Sequence, residues 1–253
     1  MPQAIILGSG TSNGVPSLGF HYTPEFLANP KNHRTRSSLM LVGPTGNLLV
    51  DCTPEMRLQV TGQGITELEA VVITHAHSDH VMGMDDLRSI CMRTGKPVVV
   101  YTLEQHAQDI RRIFPYAFKE VAPGIAVPRF DIREIPETFE IGGMKIESFL
   151  VDHGVTTVIG LRVNAFAYIT DVSRIPAAAE AKLHGLDYLV LDAVRYKPHP
   201  NHFDMGQAIE AARRIGAKRT YLTHLSDDYD HDKVNAELPS GVELAYDGLT
   251  LEI

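Results

Sequence analysis

An α/β sandwich, two mixed β-sheets packed face to face with helices on their outer sides, is the fold this 253-residue sequence predicts. Three observations lead there. Twelve short runs rich in Val, Ile, Leu and Tyr are bounded by Gly, Pro, Asn or Asp, as strands are. Six stretches carry apolar residues at helical spacing. The early strand-like runs follow one another as in hairpins, while the later ones alternate with helices, so antiparallel and parallel pairing must share each sheet.

In chain order, strands are expected at residues 3–8, 38–43 and 47–51, then a helix at 54–62 and a strand at 70–74. A helix at 81–94, a strand at 97–102 and a helix at 103–114 follow. Residues 115–140 hold aromatics, Pro and Gly without clean periodicity. They read as a surface connection, or as a lid or subunit contact bringing Tyr116 and Phe118 near a substrate. Strands resume at 144–151, 157–163 and 166–170, with a helix at 175–184 and a strand at 188–192. The helix at 205–215 has an apolar stripe of Ala208, Ile209, Ala211, Ala212 and Ile215 and stops at Gly216. A strand at 219–223, a helix at 230–237 and strands at 242–246 and 249–253 complete a single domain spanning 1–253.

Composition narrows the function. The net charge of −8 and pI near 5.8 argue against an extended nucleic-acid surface or an anionic membrane partner. Cys52 and Cys91 are too few and too scattered for a disulfide framework or a Cys-type zinc site. The N-terminus lacks the basic and apolar regions of a signal peptide, and no apolar run approaches the ~18 residues of a membrane span. A cytoplasmic protein is expected.

The chemistry concentrates in T-H-A-H-S-D-H at 74–80, after the apolar run Val71, Val72, Ile73. His75 and His77 are two apart, so an extended backbone points both rings to one side. Asp79 and His80 then turn away and can begin a second site. His153, Asp171 and His224 each end an apolar run and precede a loop. Together they make a sensible count: His75, His77 and His153 for one ion, Asp79, His80 and His224 for another, and Asp171 between them. Imidazole with carboxylate suits Zn²⁺, Mn²⁺ or Fe²⁺.

This ordered set, with Asp51 after a strand, resembles the metallo-β-lactamase superfamily across most of the chain. The resemblance implies an αββα four-layer sandwich with a dimetal site at one edge of the sheets. It also implies that Asp51 orients the His loop through hydrogen bonds rather than binding metal. G-S-G-T-S-N-G-V-P at 8–16 and A-Y-I-T-D-V-S-R-I-P at 167–176 resemble the PhnP-type carbon–phosphorus lyase accessory phosphodiesterases. K-P-H-P-N-H-F at 197–203 puts His202 where that group and the tRNA 3′-endonucleases carry a catalytic His that binds no metal. The group's Cys cluster for a structural zinc is missing: Leu18 to Asn32 holds no Cys, and Asp227 stands where an extra His is expected. No tetrahedral zinc held by His21, His33 or Asp227 is therefore expected near 17–34.

The implied activity is hydrolysis of small cyclic, alkyl or nucleoside phosphodiesters with two divalent ions, Zn²⁺ or Mn²⁺ ahead of Fe²⁺. Catalytic candidates are His202, Asp79 and Asp51, with His202 as proton donor to the leaving group and His199 as its alternative. Ser9, Thr11, Ser12 and Asn13 are candidates for phosphate or sugar. Other readings are an RNase Z-like tRNA 3′-endonuclease, against which the charge and the lack of a basic arm count, a weakly hydrolytic cofactor-biosynthesis protein, and a glyoxalase-type thiolester hydrolase. The sequence leaves a homodimer open.

Overall fold

The computed structural model describes residues 1–120, 122 and 124–253. Strands β1 (Gln3–Gly8), β2 (Ser38–Val42), β3 (Asn47–Val50), β4 (Ala70–Val72), β5 (Val98–Thr102) and β6 (Phe130–Glu134) enter a first sheet. A second contains β7 (Thr138–Ile141), β8 (Met144–His153), β9 (Thr156–Val163), β10 (Phe166–Ile169), β11 (Tyr188–Asp192), β12 (Arg219–Thr223) and β13 (Val242–Leu244). The last strand, β14 (Thr250–Glu252), returns to the first sheet beside β1.

The two sheets share one pattern. From β14 to β6 the pairings run three antiparallel, then three parallel. From β7 to β13 the sequence is the same. Strands β3 and β10 stand where pairing changes sense, the kind of switch point beside which α/β sheets place their sites. Apolar runs buried on both faces, such as β4 and β10, supply the inner strands.

Helices α1 (Pro24–Ala28), α2 (Met56–Gly62), α3 (Ser78–Val81), α4 (Arg88–Thr94), α5 (Glu104–Ile113), α6 (Ala177–Glu180), α7 (Met205–Ile215) and α8 (His231–Glu237) lie between strands. Met56, Val60, Cys91 and Ile110 bury α2, α4 and α5 on the first sheet's outer face. Ala179, Ala208, Ala212, Ile215 and Val234 bury α6, α7 and α8 on the second. Between the sheets, Leu48, Leu161 and Tyr168 belong to a third cluster. These are the four layers of an αββα sandwich. Helix α7 forms where expected because both ends are capped. Asp204 and Gln207 make a reciprocal capping box, and Gly216 closes the helix with φ +72°. No helix of the described residues is long and apolar enough to cross a membrane.

The expected helix at 81–94 is broken into α3, a 3₁₀ turn over Met82–Leu87, and α4. Gly83 explains the break: a Cβ there would meet the Thr53 carbonyl oxygen at 2.0 Å, so the chain presses on the segment after Asp51 and tightens. The 175–184 helix starts only after Pro176 and turns 3₁₀ at Ala181. Residues 115–140 contain β6 and most of β7, an edge strand of the first sheet and an edge strand of the second, so this stretch carries the chain from one sheet to the other. Val121 and Pro123 lie outside the described residues. Strands this short, half-exposed at an edge, leave no clean alternation in sequence.

Leu161 is fully buried between the sheets. Leu161→Ala should cost about 2–5 kcal/mol of folding stability, the usual range for Leu truncation in a packed core. Urea unfolding checks it; an unchanged midpoint would contradict this packing.

Candidate metal centre

Strand ends build the site. Asp51 follows β3, His75 and His77 follow β4, His153 ends β8, Asp171 follows β10 and His224 follows β12. Asp79 and His80 ride on the single turn of α3. Asp51, Asp171 and His224 have φ of +66°, +52° and +58°. Left-handed backbone at three non-glycine site residues is strain that the surrounding structure must hold in place.

The structure brings His75, His77, His153 and Asp171 together, and separately Asp79, His80, Asp171 and His224, with the candidate ligand atoms of each set within 4.8 Å of one another. Asp171 belongs to both. Its Oδ1 lies 3.2 Å from His224 Nδ1 and 3.5 Å from His80 Nε2. Its Oδ2 lies 3.7 Å from His75 Nε2 and 3.9 Å from His153 Nε2. One oxygen thus faces each set.

The rings are aimed from outside. His75 Nδ1 donates to Thr74 Oγ1, His80 Nδ1 to Asp51 Oδ2, and His153 Nδ1 to the Asn201 carbonyl, at 3.1, 2.7 and 2.7 Å. Each bond engages Nδ1 and leaves Nε2 pointing inward. Asp51 also accepts from Thr74 N and Thr74 Oγ1, both at 2.8 Å, and so locks the strand end that carries the His loop.

The set fits divalent metal. His80 Nε2 is buried with no hydrogen-bond partner, an orphan beside Asp79 and Asp171. Burial, reinforced by neighbouring imidazoles, pushes His75 well down and lowers His77 and His153, so these rings stay neutral. Burial works against the charged forms of Asp171 and Asp79, but nearby histidines hold Asp171 far below the usual carboxylate range and Asp79 at about 2. Neutral imidazoles and ionised carboxylates are the forms that bind metal. For His80 burial is outweighed by Asp79, Asp51 and Asp171, which draw a positive charge to the place where a cation belongs.

A cavity of about 280 Å³ opens onto the set, lined by Ser12, His77, Ser78, Asp79, His153, Asp171, Asn201, His202 and His224. His202 donates from Nδ1 to Asp192 Oδ2 at 2.9 Å. Burial would lower its pKa, but the Asp192 charge and hydrogen bond, aided by Asp171 and Asp79, raise it. Sequence reasoning missed Asp192, although L-V-L-D at 189–192 ends an apolar run in Asp as Asp51 and Asp171 do. It also missed Ser37, whose Oγ lies 3.3 Å from His224 Nδ1, and Asn201. His199 accepts from the Asn201 amide at 3.1 Å and does not line the cavity.

Two expectations need correction. Of Ser9, Thr11, Ser12 and Asn13, only Ser12 lines the cavity; the Ser9 hydroxyl is spent on Asp247. Tyr116 and Phe118 do not line it either: Tyr116 donates to Asp85 and Phe118 packs edge-on against Phe130. The 17–34 stretch is tied by hydrogen bonds. Tyr22 accepts from Ser17 N at 2.7 Å and donates to Asp227 at 2.8 Å, and Arg34 donates to the Ser226 and Tyr229 carbonyls. His33 contacts the Leu27 carbonyl, and no grouping of three or more metal-type side chains occurs there among the described residues.

A sequence profile of the Beta-lactamase superfamily domain matches residues 46–225. A solved structure described as a new diphosphatase from the PhnP family is 37% identical, covers 100% of this chain and 98% of its own, and superposes with a TM-score of 0.91. An octanoyltransferase of Porphyromonas gingivalis is 34% identical over 98% of this chain; the chain spans about half (51%) of that protein. A ribonuclease Z of Methanopyrus kandleri is 25% identical over 89% of this chain and 94% of its own.

His231, at the start of α8, gives a pH test. Burial, helped by Lys31 and Arg34, pushes its imidazole from the ordinary 6.5 to about 4. The unfolded chain therefore takes up a proton that the folded chain refuses, so this contribution to stability is present above about 6.5 and lost as pH falls towards 4. His231→Phe keeps a ring against Tyr246 and should flatten the fall of the urea midpoint over that window; an unchanged slope would contradict it.

Proposed function

The chain belongs to the beta-lactamase superfamily and is a metal-dependent hydrolase, and from that premise we propose that it cleaves small phosphodiesters with two divalent ions. The observation that carries this is Asp171, whose two carboxylate oxygens face two separate donor sets. His75, His77, His153 and Asp171 would hold one ion and Asp79, His80, Asp171 and His224 the other. The donor set of imidazole and carboxylate without thiolate favours Zn²⁺ or Mn²⁺, with Fe²⁺ behind. The likeness to a PhnP-family diphosphatase over essentially the whole chain supports phosphorus as the centre attacked.

When bound, the ions would polarise the phosphoryl oxygens and lower the pKa of water enough to supply a nucleophile near neutral pH. The rest falls to side chains. Among the described residues no Lys or Arg lines the cavity, and Asp192 raises the pKa of His202, which makes His202 our cationic candidate for the leaving oxygen. Asp192 accepts a hydrogen bond from Nδ1–H and fixes the ring, which leaves Nε2 to carry the proton delivered to the departing alkoxide. Ser12, Ser78 and Asn201 can donate hydrogen bonds to the substrate. The cavity's 280 Å³ suits a small substituent on phosphorus.

The net charge of −8 disfavours a tRNA substrate. For acyl transfer, neither Ser12 nor Ser78 hydrogen-bonds a histidine among the described residues, and no Cys or Lys lines the cavity. The octanoyltransferase is moreover about twice the length of this chain.

Purified protein should hold close to two transition-metal ions per chain and prefer a bis-aryl phosphodiester to thioesters and lactams. His77→Ala should lose metal and activity together. One ion per chain with full turnover, or a preference for thioesters, would overturn the reading.

His202→Ala should retain its metals and lose roughly 10²–10⁴ in kcat on poor leaving groups, the range for general-acid catalysis, and much less on activated aryl esters. The acid form works protonated, and Asp192 raises its pKa. Asp192→Asn should therefore move the basic limb of the kcat profile to lower pH. A uniform loss across leaving groups would assign His202 to phosphate binding instead.

A further inference from the structure

The turn between β13 and β14 carries a further, partly buried carboxylate, Asp247, that does not line the cavity and that the proposed chemistry does not use. Its Oδ1 accepts from Ser9 N and Ser9 Oγ at 2.9 and 2.8 Å. Its Oδ2 accepts from Thr35 N and Thr35 Oγ1 at 2.7 and 2.6 Å. One side chain thus grips two chain segments, each by its amide and its hydroxyl.

Those segments enclose the residue after His224. The Ser9 carbonyl accepts from Leu225 N at 2.9 Å, and Thr11 N donates to the Leu225 carbonyl at 3.0 Å. Gly10 N donates to the Thr35 carbonyl at 2.8 Å, and a Cβ on Gly10 would meet backbone oxygens of Arg34 and Thr35 at 2.8 and 2.9 Å. Only glycine allows so close an approach. From the second segment, Ser37 donates to the Gly10 carbonyl at 3.0 Å and its Oγ lies 3.3 Å from His224 Nδ1, the nitrogen that also faces Asp171 Oδ1 at 3.2 Å. His224 itself has left-handed backbone at φ +58°, so its direction depends on what holds Leu225 and its ring.

We infer that Asp247 is the positioning residue for His224: through Ser9, Thr35 and Ser37 it sets the backbone and ring of that histidine, and so governs the affinity of the site formed with Asp79, His80 and Asp171. His75, His77 and His153 hang from Asp51, Thr74 and Asn201 instead, and make no use of this clamp. The inference rests on the two-ion reading and predicts an effect on one ion only.

The test titrates chelator-stripped protein with Co²⁺ alone and follows visible absorption. Asp247→Asn keeps the size of the side chain but replaces one acceptor oxygen with a donor. It should bind the first equivalent as wild type does and the second about 10–100-fold more weakly, the usual cost of losing a group that orients a ligand. Ser37→Ala should weaken the second equivalent in the same direction. Wild-type affinity for both equivalents in Asp247→Asn, or equal weakening of both, would overturn the inference. If Asp247→Asn fails to fold, Ser9→Ala and Ser37→Ala decide: selective weakening supports the inference, and an unchanged second equivalent in both overturns it. Wild-type protein that takes up only one equivalent would instead overturn the two-ion reading on which it rests.

Discussion

A carboxylate with almost no exposure to water, that of Asp171, governs how this molecule is organised. Burying an ionised carboxylate without partners costs many kcal/mol, and the cost is recovered only where positive or hydrogen-bonding groups surround it. Here Thr170 donates to Oδ1, and His75, His80, His153 and His224 crowd the remaining lone pairs. These histidines come from three strand ends and a helical turn spread over 150 residues of sequence. Both sheets must therefore be in place before the charge is compensated, and the candidate metal centre and the sandwich are parts of one cooperative unit.

The matched pairing of the two sheets explains why two aspartates end up with different tasks. Asp51 and Asp171 follow the equivalent strands β3 and β10, and both have left-handed backbone. Asp51 meets Thr74 and His80 Nδ1, all hydrogen-bond donors, and fixes the His loop from behind. Asp171 meets ring nitrogens turned towards it and lies between the two donor sets. The same local geometry yields a support or a candidate ligand according to which atoms of the histidines it encounters.

Much of this was legible in sequence because its signals are local. The H-x-H-x-D-H spacing, and His153, Asp171 and His224 each closing an apolar run, need no knowledge of the fold to be noticed. Helix α7 was legible through its apolar stripe, Ala208 to Ile215, and its stop at Gly216. What stayed hidden depends on contacts distant in sequence. Asp192 looks like any acidic strand terminus until His202 lies beside it. Edge strands β6 and β7 have too little buried surface to leave an alternating pattern. Gly83 gives no sign in sequence that it faces the Thr53 carbonyl, and so that an apparent helix must tighten there. Ser9 read as a phosphate binder because nothing near it in sequence reveals a partner 238 residues away.

The loop beside the site has a different kind of dependence from one built on cysteines. Tyr22 bridges Ser17 and Asp227, and Arg34 ties the same stretch to Ser226 and Tyr229. Both cysteines, Cys52 and Cys91, are free and buried, and burial pushes the Cys52 thiol well above its ordinary range. Thiols in that state are poor nucleophiles and poor targets for oxidants. The hold on this loop consequently has no redox-active atom in it: peroxide, disulfide exchange and thiol-reactive electrophiles find nothing there to attack.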